Sequence, residues 1–259
     1  MKNILLPAVI FFFSSGIFAQ NEMEATKGKH SIGGFSMYGG IGAASVDPAS
    51  FSSINTALQV NGFAASPSDF VSWNIAPMNF FVRNTVFGFE MNGLAKRNNA
   101  IATSRTTASG MFTKLYFGYI VMKGKHSLFY PEIGASIGHT DVHSHEGSDP
   151  VNDVSATNHF AAVDISLNFD RFSNIIEDKH SILQTNATPG KLFCSELGLS
   201  VGYIYSPVST YWNDNNIDIY NKNSSNVNFV TDVVGNNNSS AISMFYVKLK
   251  LGFGMMWKN

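Results

Sequence analysis

Residues 244–257 alternate strictly between two chemistries. Phe245, Val247, Leu249, Leu251, Phe253, Met255 and Trp257 form one set, and Met244, Tyr246, Lys248, Lys250, Gly252, Gly254 and Met256 form the other. A strand points successive side chains to opposite faces, so one face is wholly apolar while the other carries two ammonium groups and two glycines. Apolar outside and polar inside is the pattern of a closed transmembrane barrel, the inverse of a soluble one. Trp257, at the end of the apolar face, suits a membrane interface.

Composition points the same way. Only 14% of the chain is charged, against about 25% in soluble domains, while 13% is aromatic, with 22 Phe and 22 Gly. Such a chain must cover much of its surface with groups that do not seek water. After the N-terminal segment no apolar run approaches the roughly 20 residues of a membrane helix, so a closed barrel is the spanning structure left. The net charge of −1 argues against a nucleic-acid partner. The single Cys194 cannot form an intramolecular disulfide and reads as a small packing residue. Lys2, the apolar stretch from Ile4 to Phe13 and a cleavage position after Ala19 read as a secretory signal over residues 1–19, leaving 20–259 as one barrel domain.

The same alternation recurs along the chain and predicts eight strands, that is, an all-β, eight-stranded antiparallel up-and-down transmembrane β-barrel. They are centred on 31–45, 70–83, 86–96, 111–121, 129–138, 161–170, 193–205 and 244–257. In the second, Val71, Trp73, Ile75 and Phe81 are expected on one face, with Pro77 marking an edge or a bulge. Residues 52–65 break the alternation and read as a short helix stopped by Gly62. Tight turns are expected at Arg83-Asn84 and at Lys123-Gly124-Lys125. Polar loops are expected at 97–107, after strand five and at 207–240, and the connection 173–190 is longer than the alternation of short turns and long loops asks for.

The inward positions collect Glu90, Lys114, Glu132, Asp164, Asp170, Glu196, Lys248 and Lys250. An eight-stranded barrel has an interior just wide enough for side chains to fill. Mixed acids and bases there are expected to pair as a polar plug, the rival reading being a narrow conduction path. Aromatic residues near strand ends (Trp73, Tyr203, Tyr205, Tyr211, Trp212 and Trp257) read as interface girdles or, alternatively, as a binding platform in the loops.

The densest local constellation is His139, Asp141, His143, His145 and Glu146. In an extended chain His139, Asp141, His143 and His145 share one face, a donor set suited to Zn²⁺ or Cu²⁺, with Asp149 and Asp153 following; the rival is a solvated outer loop. The sequence has no Walker loop, dinucleotide fingerprint or paired-cysteine metal motif. Glu177 and Asp178 lie beside Lys179 and His180, which reads as a solvated connection. No catalytic residue and no cofactor is therefore assigned.

The Phe-Ala-Gln ending of the signal, the Phe117-Gly118-Tyr119 and Gly202-Tyr203 strand segments, and the closing Phe253-Gly254-Met255-Met256-Trp257 resemble small outer-membrane β-barrel proteins of Gram-negative bacteria. They are similar in particular to the porin-like and OmpA-like barrels of the Bacteroidetes type. The chain departs from that pattern in closing on Lys258-Asn259 instead of an aromatic residue. The resemblance implies an outer-membrane location, contact with membrane lipid, an extracellular ligand reached through long loops, and a structural, adhesive or surface-interaction role. A monomer without enzymatic activity is expected. The alternatives are a narrow porin-like channel, a membrane-embedded barrel enzyme using His139 to Glu146, and a secreted soluble barrel that binds ligand with its apolar faces inward.

Overall fold

Eight long strands carry the alternation in the computed structural model, which describes residues 32–60, 62–101, 104–124, 126–146, 154–174, 192–209, 213–214 and 242–258. They are β1 (Ile32–Val46), β2 (Asp69–Arg83), β3 (Thr85–Ile101), β4 (Ser104–Tyr119), β5 (Ser127–Glu146), β6 (Val154–Asn174), β7 (Leu192–Ser209) and β8 (Ser243–Lys258). Each pairs antiparallel with its sequence neighbour, and β8 pairs along its length with β1. The sheet therefore has no free edge among these strands: it is a closed up-and-down barrel. Two short bridges, Met122–Lys123 against β5 and Asn213–Asp214 against β6, add to the rims.

Register fixes the barrel's proportions. Partners run from Ser36 through Asn79, Gly88, Tyr116, Gly134, Asp164, Ile204 and Met244 and return to β1 at Val46, ten residues beyond the start. That stagger in an eight-stranded barrel corresponds to a strand tilt of about 40° and a lumen filled by side chains. Sidedness is the one the alternation predicts. Leu249 and Phe253 are 45% and 49% exposed, while Lys248 and Lys250, on either side of Leu249, are 4% and 1% exposed. Every strand contributes large apolar residues to the outer face, such as Ile41, Ile75, Phe87, Leu115, Ile133, Ile165, Leu197 and Leu251.

Three features differ from the sequence reading. Phe81 points into the lumen, not outward with Val71 and Ile75. The register of β2 shifts between Ile75 and Met78, so Ala76-Pro77 forms an irregularity that reverses the face of every later residue. Residues 97–101 and 104–107 are strand and not loop, because β3 and β4 continue as a paired hairpin to Ile101 and Ser104. Strands β5 and β6 likewise run on to Glu146 and start at Val154, well past the apolar run. β3 runs on past Leu94, where its pairing with β2 ends, and β6 starts before Phe160, where its pairing with β7 ends, so β3 to β6 rise above the rest of the barrel as a wall. The signal segment 1–19, most of 173–190, 210–212, 215–240 and the side chain of Trp257 lie outside the described residues.

The raised wall holds a cap. Asp47 accepts from Ala49 N at 3.0 Å and starts a 3₁₀ turn, Pro48–Phe51, that leads into α1 (Ser52–Val60). Ile54, Ala57 and Leu58 share one helical face and are buried, as is Phe51 before them. Gly62 ends the helix in the left-handed region (φ 80°), where a side chain would be strained. The chain then crosses the mouth. Ala64 N donates to Ser104 Oγ (2.7 Å), Thr106 donates to Ala64 O, and Asn99 Nδ2 donates to Ala65 O (3.0 Å). At the opposite end Arg83 (φ 58°) makes the tight turn into β3, and Lys123 donates to Asn84 Oδ1 (2.5 Å) and Arg83 O. Partial burial there pulls the Lys123 ammonium below the ordinary lysine range.

Candidate functional site

The lumen is layered. At the loop end, Phe51, Ile54, Leu58, Phe63 and Phe70 pack with Leu94, Phe112, Phe160, Ile204 and Met244 from the wall. At the end where β1 begins and β8 ends, Phe81, Val86, Ile120, Leu128, Phe172 and Cys194 form a second apolar layer, and Cys194 donates to Gly254 O. Between the two lie the charged residues that alternation placed inside: Glu90, Lys114, Glu132, Asp164, Asp170, Glu196, Lys248 and Lys250 are all buried.

Lys114 is the hub. Its Nζ lies 2.5 Å from Glu132, 3.2 Å from Asp164 and 3.7 Å from Glu90. Lys248 pairs with Glu90 and donates to Asn92 Oδ1 (3.0 Å), while Asn74 Nδ2 donates to Glu90 (2.7 Å). Asn168 Nδ2 and Ser166 Oγ each donate to Glu132 at 3.2 Å. One step lower, Lys250 pairs with Asp170 at 2.5 Å, and Tyr130 OH donates to the same carboxylate. A carboxylate buried with a lysine and two or three donors avoids the large cost of an orphan charge.

Tyrosines enclose the ammonium groups. Lys248 Nζ lies 4.6 Å from the Tyr246 ring centroid, Lys114 Nζ 5.1 Å from that of Tyr116, and Lys250 Nζ 5.2 Å from that of Tyr38. Tyr246 OH also donates to Asp164 (2.9 Å). Glycine makes this possible: Gly202 lies directly opposite Tyr246, and a Cβ there would stand 2.5 Å from the phenol ring. The ring lies across the bare backbone, which is why Gly and Tyr recur together on the inner faces.

The interior is not charge-balanced. Five carboxylates (Glu90, Glu132, Asp164, Asp170, Glu196) face three ammonium groups (Lys114, Lys248, Lys250) among the described residues. Glu196 is one of the surplus carboxylates: it is 2% exposed, has no ion-pair partner of its own, and its hydrogen-bonding neighbour is the Ser36 hydroxyl. Its nearest charged company is the Lys250–Asp170 pair, which is already matched.

No family model matches this chain, and no curated protein matches its sequence.

On the outside of the raised wall, His139, Asp141, His143 and His145 do share one face of β5, as an extended chain requires. Asp141 is committed locally: Thr157 Oγ1 donates to it at 2.6 Å and His139 Nε2 lies 3.4 Å away. Register brings in His159, which the sequence reading missed because it sits on the next strand. It lies directly opposite His139, with ring centroids 6.0 Å apart. The His143 and His145 rings are 6.2 Å apart. Among the described residues no three His, Cys, Asp or Glu side chains converge to hold a metal ion. The Glu146 side chain, Asp149 and Asp153 lie outside the described residues. Tyr203 and Tyr205 are exposed near the loop end of β7 and Tyr119 near the opposite end, while Trp73 is half-buried beside Gly93. Tyr211 and Trp212 lie outside the described residues.

Proposed function

We propose that the chain is an outer-membrane β-barrel protein with a structural, adhesive or surface-interaction role, exported through its N-terminal signal and acting without enzymatic chemistry. One observation carries this reading: a continuous apolar outer face contributed by all eight strands. Soluble monomers rarely expose apolar patches beyond a few hundred Å², and a barrel wall greasy on all sides exceeds that many times over. On β5 and β6 the apolar run spans Phe129 to Ile137 and Ala161 to Phe169, about the nine residues a tilted strand needs to cross a bilayer. His139 and His159 begin the polar zone at one edge, and Arg171 and Ser173 begin it at the other.

The two apolar layers and the paired charges between them favour a plugged lumen over a conducting one. The outward set of the apolar faces speaks against a soluble barrel that would bury them around a ligand. Membrane fractionation followed by a heat-shift gel tests the proposal. The expected result is recovery with outer-membrane lipid and faster migration of the unboiled than of the boiled form. Recovery in the soluble fraction with no heat shift would reject it.

A further inference from the structure

On the outer wall, near the end where β1 begins and β8 ends, lies a groove of about 440 Å³ bordered by Arg171, Ser173, Ser195, Leu197, Leu251 and Gly252. Register sets these residues side by side. Arg171 is opposite Leu197, Leu197 is opposite Leu251, and Ser173 is opposite Ser195. The depression exists because Ser195 stands between the larger Phe193 and Leu197 on the outer face of β7, beside Ser173. Glu196 also borders it, but that carboxylate belongs to the lumen and is 2% exposed.

Arg171 ends the apolar run Ala161, Val163, Ile165, Leu167 and Phe169 on its face of β6. Its side chain is exposed, and no described residue forms an ion pair with it. Ser195 donates its hydroxyl to the Ser173 backbone carbonyl at 3.3 Å, and the Ser173 side chain is exposed beside it. The site thus combines a guanidinium without an ion-pair partner among the described residues, a hydroxyl group and two leucines on the wall beside it. Guanidinium forks a phosphate through two parallel N–H donors, which a point charge cannot do. A volume of this size takes a headgroup and the first part of a chain, with the remainder lying on the open wall.

We infer that this groove is a binding site for a phospholipid of the leaflet at the end where β1 begins and β8 ends. Arg171 and Ser173 take the phosphate, and an acyl chain lies along Leu197 and Leu251. The inference rests on the membrane reading above and adds a specific lipid contact to it. Charge complementarity selects the headgroup, and the leucines select an acylated phosphate over a free one.

Native mass spectrometry of the full chain, folded in neutral detergent and offered equal dioleoyl phosphatidic acid and dioleoylglycerol, reads the preference. The expected result is a single phosphatidic acid retained, about tenfold over dioleoylglycerol, as one charge-assisted contact supplies. R171Q removes the preference, R171K keeps part of it, and R83Q, at the same end but outside the groove, leaves it intact. Inorganic phosphate does not compete. Equal retention of the two lipids, a preference surviving R171Q, or displacement by inorganic phosphate overturns the inference. A heat-shift gel and insertion into phosphatidylcholine vesicles run alongside. A barrel that inserts but shows no lipid preference removes this inference alone, and a chain that does not insert removes the membrane reading with it.

Discussion

Lys114 lies within ion-pair distance of three carboxylates, so its loss would strand Glu132, Asp164 and part of the Glu90 charge together. Replacing one partner of a buried pair typically costs about 3–5 kcal/mol, far more than the pair contributes over an apolar substitute. Lys114→Met is therefore expected to lower the unfolding free energy by about that amount, read from urea titration of the detergent-folded barrel. Glu196 is the opposite case, because the nearest ammonium, Lys250, is already paired with Asp170. Glu196→Gln is expected to leave stability unchanged or raise it by about 1 kcal/mol, since it removes an unmatched acid from a buried site. Equal losses from both substitutions would show that the partners assigned to Lys114 do not set its contribution. The eight charged residues of the lumen were legible from strand parity alone. The tyrosine cage was less so, because parity says which face a ring is on but not that it folds over a glycine of the next strand.

The capping segment shows how elements divide into those a sequence announces and those it does not. Residues 52–60 break the period of two, and Gly62 marks their end, so the helix is legible. Its destination inside the barrel mouth is not, because Ile54, Ala57 and Leu58 would look the same packed on any apolar surface. The raised wall was read as loop for a related reason. Arg97 to Thr107 and His139 to His145 are polar, and their partners are other polar strand segments, so no apolar alternation betrays the pairing. Pro77 marks an edge or a bulge in the sequence, but the reversal of Phe81 follows only from the register. The cap itself makes a prediction. Ile54→Asp puts a charge into the apolar layer and is expected to unseat α1, exposing 48–66 to protease while β1 to β8 remain folded. Planar-bilayer conductance is expected to stay near baseline, because the charged layer and the second apolar layer still fill the lumen. A large open conductance would identify the cap as the sole barrier.

For the whole molecule the decisive property is that the apolar surface faces away from the axis. Leu249 sits near mid-height of that surface, and an arginine there is expected to cost about 2–4 kcal/mol of folding into vesicles. His143→Arg, on the raised wall beyond the apolar zone, is expected to cost close to nothing in the same assay. If the two substitutions were equivalent, the outer face would not be solvated by acyl chains. The circular pairing has a temporal implication as well. The seam of the barrel joins β1 to β8, the strands farthest apart in sequence, from Ile32 against Lys258 to Val46 against Met244. Synthesis from the N-terminus delivers one half of that seam first and the other half last. Until then both ribbons offer unpaired amides and carbonyls that would zip onto any neighbouring chain, so the polypeptide depends on a holding factor or on prompt arrival at its final surroundings.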